Sequence, residues 1–272
     1  MHILNIGDSL PQGDFIIHSR FSSVVNYSNG TSLLAWVRPE VGGGPNNMVV
    51  EFLPSEAPDH FSISEELLIT PDFLLDLSSI EKYDSSVQIP NINKTDLKTL
   101  LHELLPVFSQ TASSKSLAFL LCKEKENEFC TPFEIELKNR ILSGVDALQS
   151  GQELEGIGKI KGCGSGLTPS GDDFISGYLS ALWVLKYVDP KTDYPSPDII
   201  YREAKGNNLL SNTFMYFAKE GRFYEAFKKF LICFFNNEKQ LTFESLKKVQ
   251  RMGATSGTDF LSGFLHTITR YL

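Results

Sequence analysis

The sequence predicts an α+β protein, with an N-terminal antiparallel β-rich barrel or sandwich followed by a mainly α-helical C-terminal domain. Three observations carry that expectation. Short runs rich in β-branched and aromatic residues recur, with turn signals between them, up to about Leu77. After a linker rich in Asp, Ser, Asn and Pro at residues 80–94, the apolar spacing changes to threes and fours. Two near-copies of one Ser-Gly-x-Asp element then appear, each ahead of an apolar helical run. The expected organisation is a β-rich domain over residues 1–90 and a helical domain over residues 91–272.

The strands are read at Phe15 to His18, Ser22 to Tyr27, Ser32 to Val37 and Met48 to Leu53. Ser28-Asn29-Gly30 is a hairpin signal between the second and third, because Asn and Gly accept the positive φ of tight turns. Gly42-Gly43-Gly44-Pro45-Asn46-Asn47 predicts a longer loop before the fourth.

Beyond the linker, Thr95 or Asp96 is positioned to cap a helix whose Leu97, Leu100, Leu101, Leu104 and Leu105 share a face. A second helix is expected from Pro132 to Leu148, with Ile135, Leu137, Ile141, Leu142 and Val145 inward. Residues 151–171 read as a glycine-rich passage. Further helices are expected near Asp172 to Val188, from Asn208 to Cys233 with a break at Gly221, near Phe243 to Met252, and from Ser256 to the end.

Bulk properties exclude several function classes. A net charge of -8 supplies no basic field for phosphate backbones, so nucleic acid is not the expected partner. Cys122, Cys130, Cys163 and Cys233 form no CxxC pair, and the five histidines show no ligand spacing, so no zinc site is expected. No apolar run reaches the roughly 18 residues of a membrane span, and the first residues lack signal-peptide character, which makes a cytoplasmic location the expectation.

The repeated element is the candidate functional centre. Gly166-Leu167-Thr168-Pro169-Ser170-Gly171-Asp172-Asp173-Phe174 matches Gly253-Ala254-Thr255-Ser256-Gly257-Thr258-Asp259-Phe260 after one gap at Pro169. Ser170 with Asp173, and Ser256 with Asp259, have capping-box spacing, so one reading is two well-capped helices. The other gives the alternating Gly162, Gly164 and Gly166 a ligand-binding role, since glycines let N–H groups crowd an anion at a helix N-terminus. Lys159 and Lys161 lie just upstream, as added charge or as ordinary surface lysines. Asp172 is replaced by Thr258 in the second copy. It is a candidate for holding Mg²⁺ or orienting a nucleophile, or is first-turn charge alone; no other cofactor is expected. Asn207, Asn208 and Asn212 add polar side chains near a helix start, where ordinary capping would also explain them.

The string Gly164-Ser165-Gly166-Leu167-Thr168-Pro169-Ser170-Gly171-Asp172-Asp173-Phe174 resembles the signature of the AllH-like family, whose named member is an oxamate carbamoyltransferase subunit. The resemblance extends through Ser211-Asn212-Thr213 and Ala218 to Gly221, as far as Met252 to Asp259, covering roughly residues 155–272. It implies a part in carbamoyl transfer between carbamoyl phosphate and oxamate, or phosphorolysis of oxalurate, within purine and allantoin degradation. It also implies an FdrA-like partner and a further subunit. On this view Asp172, Asp173 and Asp259 are the candidate catalytic acids. Gly164, Gly166, Thr168, Ser170, Gly171, Asn212, Ser256 and Gly257 are the candidate anion ligands. The alternative is a non-catalytic metabolite-binding, regulatory or assembly module.

Overall fold

In the first part of the chain, strand β1 (His2–Gly7) is followed by β2 (Gly13–Arg20), β3 (Val24–Ser28), β4 (Leu33–Val37) and β5 (Asn47–Glu51). Then come β6 (His60–Ser64), β7 (Leu67–Ile69), β8 (Leu74–Asp76) and β9 (Lys82–Tyr83). This computed structural model describes residues 2–51, 54–90 and 92–272; Phe52 and Leu53, the expected end of the fourth strand, lie outside the described residues. The chain divides into two units, Met1–Ser86 with Arg222–Lys228, and Val87–Gly221 with Lys229–Leu272.

The first unit is an open nine-stranded half-barrel in the order β8-β7-β6-β2-β3-β4-β5-β1-β9. The β-rich start followed by a mainly helical remainder is as expected. The sheet is mixed, however, because β4 pairs with β5 and β1 with β9 in parallel. The glycine loop after β4 carries the chain back so that β5 runs alongside it. The hairpin at Asn29 forms as read: its Oδ1 accepts the N–H of Thr31 and of Ser32 at 3.0 and 2.7 Å. β1 was not anticipated. Its Ile3 and Ile6 join a core in which Phe15, Tyr27, Trp36 and Phe61 pack ring on ring. Residues 222–228 also belong here, since Glu225 exchanges hydrogen bonds with Gly43 and Arg222 pairs with Asp8 at 2.9 Å.

The second unit holds α1 (Lys94–Thr111), α2 (Pro132–Gln149), α3 (Glu153–Ile160), α4 (Ser170–Val188), α5 (Pro197–Ala204) and α6 (Leu209–Lys219). After α7 (Glu225–Phe235), whose first turn lies in the first unit, come α8 (Lys239–Gln250) and α9 (Ser256–Tyr271). Asn93, rather than Thr95 or Asp96, caps α1 by accepting the Asp96 N–H. Leu97, Leu101 and Leu104 are buried as the periodicity requires. Thr131 and Glu134 form a full capping box on α2. Ile135, expected inward, is exposed, because the buried face of α2 begins later, at Ile141.

The glycine-rich passage contains α3. Gly156 lets it lie close to Gly144 and Leu148 of α2, and burial of Ile157 and Ile160 outweighs the poor helix propensity of its glycines. The expected break at Gly221, where φ is +67°, separates α6 from α7. Among the described residues no helix is long and apolar enough to cross a membrane.

Candidate functional site

The two sequence copies build two helix–loop–helix units, α3 to α4 and α8 to α9. Gly171 sits against the Ile160 carbonyl, where a Cβ would lie 2.0 Å from the oxygen, and its N–H donates to Cys163 O at 2.8 Å. Gly257 repeats this on Val249, at 1.8 Å, with its N–H on Met252 O at 2.9 Å. These pairings align Gly164 with Gly253, both at positive φ and each folded over the first serine of the next helix, Ser170 and Ser256. The first loop is therefore three residues longer than the second, and the single gap at Pro169 read from the sequence is corrected. Thr168 belongs to that longer loop.

Neither serine closes a capping box. Pro169 and Thr255 are the cap residues, and neither helix has a side-chain cap bond. The hydroxyls instead cross between copies. Thr168 Oγ1 lies 3.2 Å from Asp173 Oδ2, to which it donates, and 3.1 Å from Ser256 Oγ. The Ser256 hydroxyl stabilises the Asp173 carboxylate, and Ser170 stands beside Asp259. Each acid is thus attended by the serine of the other copy.

Both acids are buried, Asp173 at 7% exposure and Asp259 at 0%. Burial, then the nearby Asp259 charge, pushes the Asp173 carboxyl well above the usual carboxylate range. Burial raises Asp259 to about 6, against the pull of the Leu117 N–H. That N–H donates to Asp259 Oδ1 at 2.6 Å, while Oδ2 is buried and finds no hydrogen-bond partner among the described residues. Two neighbouring carboxyls held toward the neutral form are a pattern found at catalytic and binding centres.

The other sequence candidates are distributed differently. Asp172 Oδ1 accepts the Gly162 N–H at 2.7 Å and so braces the turn after α3. Among the described residues no cluster of three or more His, Cys, Asp or Glu is arranged to hold a metal ion. Lys159 pairs with Glu155 and Lys161 with Glu203, so both charges are already engaged. Asn212 directs both ends of its amide to the Gly206 backbone. Its neighbour Asn208 reaches the glycine loop, donating to Leu167 O at 2.6 Å. The sequence offered Asn208 only as one polar residue in a cluster, and nothing in it singled out the Leu117 N–H. Gly164 and Gly166 hold φ of +111° and +102°, as a glycine loop requires. Gly171 and Gly257 serve close packing, and their N–H groups are already bonded.

The second unit thus contains a duplicated, pseudo-symmetric helix–loop–helix pair with two buried carboxyls at its centre. Residues 160–268, from the end of α3 into α9, match the family model described as oxamate carbamoyltransferase subunit AllH. The resemblance read from the Gly164–Phe174 string is shown over that span. No curated protein and no solved structure matches the chain.

Proposed function

We propose that the chain is a subunit of a carbamoyltransferase-type enzyme acting on small carboxylates, carbamoyl phosphate with oxamate, or oxalurate with phosphate in reverse. The observation that carries this reading is the coincidence of the AllH match with the residues around the Asp173–Asp259 pair. Substrate anions would be held by the loop from Gly164 to Thr168 with the hydroxyls of Ser170 and Ser256. Among the described residues the N–H groups of Gly164, Ser165, Gly166 and Leu167 have no backbone acceptor, which leaves them available to an anion. In phosphorolysis, a phosphate oxygen attacks the carbamoyl carbon of oxalurate, the bond from that carbon to the oxamate nitrogen breaks, and the nitrogen takes a proton. A neutral Asp173 is the donor this reading assigns, with Asp259 holding its proton affinity high. In the other direction Asp173 recovers the proton as oxamate attacks carbamoyl phosphate. FdrA-like and further subunits would complete the enzyme.

The complete burial of Asp259 favours a second reading, a non-catalytic module that senses the same anions. Phosphate-dependent cleavage of oxalurate by the co-purified complex, with wild-type chain and with Asp173→Asn, separates the two. The enzyme reading expects turnover to fall by about 10²-fold or more, as for loss of a general acid, with binding kept. Unchanged turnover overturns it.

A further inference from the structure

A cavity of about 530 Å³ opens beside the second copy, lined by Thr111, Ser113, Lys247, Gln250, Arg251, Gly253 and Ala254. It shares no lining residue with the Asp173–Asp259 cluster. Lys247 and Arg251 are exposed at its wall, and among the described residues neither has a carboxylate within ion-pair distance. In a chain of net charge -8, these two cations stand together on one wall of the cavity, at the C-terminal end of α8. The floor is fixed by the buried Gln250, whose Oε1 accepts from Thr111 at 2.6 Å and whose Nε2 donates to Phe108 O at 3.1 Å.

The first copy explains what this wall lacks. Superposing the repeats through Ile160 and Val249 places Gly158 and Gly162 where the second copy has Lys247 and Arg251. In the first copy the Asp172 carboxylate sits on the turn, bonded to the Gly162 N–H. In the second copy that acid is Thr258, whose hydroxyl engages Ser113 at 3.1 Å, a residue of the cavity wall. One copy therefore carries its own anion at the turn, and the other carries cations around an open space.

We infer that this cavity is a binding site for a carboxylate- or phosphate-bearing small molecule, with Lys247 and Arg251 as its charge ligands and the Ser113 hydroxyl, which accepts from Thr258 and keeps its own proton, as a donor. Arg251 suits a planar carboxylate or a phosphate through paired N–H donors, and Lys247 adds a mobile point charge. The volume lies in the range of small-molecule pockets and exceeds what a bare oxyanion fills, so the ligand is an anionic metabolite with a body beyond its charged group.

Isothermal calorimetry on the full chain, with inorganic phosphate in one arm and oxalate in the other, tests the site and tells the two headgroups apart. Saturable binding of one probe is expected, weakened at least tenfold in the Lys247→Ala, Arg251→Ala double variant. Binding should be retained in Lys248→Ala, which alters an exposed lysine outside the cavity, and in Asp173→Asn. Thermal melts confirm folding of each variant. Absence of binding to the wild type, wild-type affinity in the double variant, or loss in Lys248→Ala overturns the inference. Loss in a Ser170→Ala, Ser256→Ala variant alone, with Asp173→Asn unchanged, would move the anion to the glycine loop and overturn the inference equally, while leaving the enzymatic reading intact.

Discussion

Gly177 of α4 lies so close to Phe260 of α9 that a Cβ there would stand 1.9 Å from the Phe260 carbonyl oxygen. The relationship is reciprocal, since a Cβ on Gly263 would stand 2.0 Å from Phe174 O. Phe174 corresponds to Phe260 and Gly177 to Gly263, so the repeat packs against itself about a local two-fold axis. This contact holds the N-termini of α4 and α9 together, and with them Asp173 and Asp259. The small-residue faces that could have served assembly are occupied within the chain.

Because the obstacle at both glycines is backbone, repacking cannot relieve it. Gly177→Ala and Gly263→Ala are each expected to destabilise the chain by about 3 kcal/mol, the upper range for overpacking. Gly206→Ala, with open space around it and no positive φ, should stay within about 0.5 kcal/mol of the wild type. Urea midpoints measure all three, and equal shifts would remove the distinction.

What the sequence made legible follows from how local each signal is. The repeat could be read because Ser-Gly-x-Asp-Phe is contiguous, and α1 and α2 because their leucines and isoleucines mark faces over several turns. α3 escaped notice because Gly156 and Gly158 depress a propensity that tertiary burial restores. The parallel pairings of β4 with β5 and β1 with β9 join segments brought together only by the fold. The Ser170–Asp173 spacing misled for a related reason: i to i+3 is the same for a capping box and for two residues that each face the other copy. Only the packing of Gly177 on Phe260 decides between them.

Asp259 makes a pH prediction with a definite sign. Its carboxyl is raised to about 6 in the folded chain, so the folded state holds this proton more tightly than the unfolded state does. The group's contribution is most favourable below the unfolded value near 3.9, declines as pH rises to about 6, and is flat above. Two pKa units amount to roughly 3 kcal/mol. Asp259→Asn keeps an oxygen acceptor for the Leu117 N–H and loses the titration. Its stability should exceed the wild type's at pH 8 and converge with it near pH 4. Parallel curves in chemical denaturation across that range would disprove the assignment.

His266 acts in the opposite sense. Burial, then the Arg270 charge, lowers its imidazole from 6.5 to about 4, so unfolding takes up a proton in that window. The stability this neutral ring contributes is complete above about pH 6.5 and is lost as pH falls through 4. It packs against Phe174 with ring centroids 6.0 Å apart, and its Nε2 lies 3.3 Å from Gln149 Nε2. His266→Gln should flatten acid destabilisation between pH 6.5 and 4 by up to about 3 kcal/mol, although lost packing lowers the whole curve. The slope of the melting temperature against pH is the readout. An unchanged slope would assign acid sensitivity elsewhere.

Asn208 performs two tasks that substitution can separate. Its Oδ1 accepts the Ser211 N–H at 3.1 Å, capping α6, and its Nδ2 donates to Leu167 O at 2.6 Å, tying down the long glycine loop. Asn208→Ala loses both and should cost about 1 to 2 kcal/mol of global stability, chiefly through the cap. Asn208→Asp keeps an acceptor for Ser211 but turns an oxygen toward the Leu167 carbonyl. Global stability should then change little while the loop from Gly164 to Pro169 loosens. Amide hydrogen exchange resolves the two effects: faster exchange confined to that loop is expected in Asn208→Asp, with α6 protected as in the wild type. If α6 exchanges faster in both variants and the loop in neither, Asn208 is a helix cap alone and the loop is ordered by its own turns.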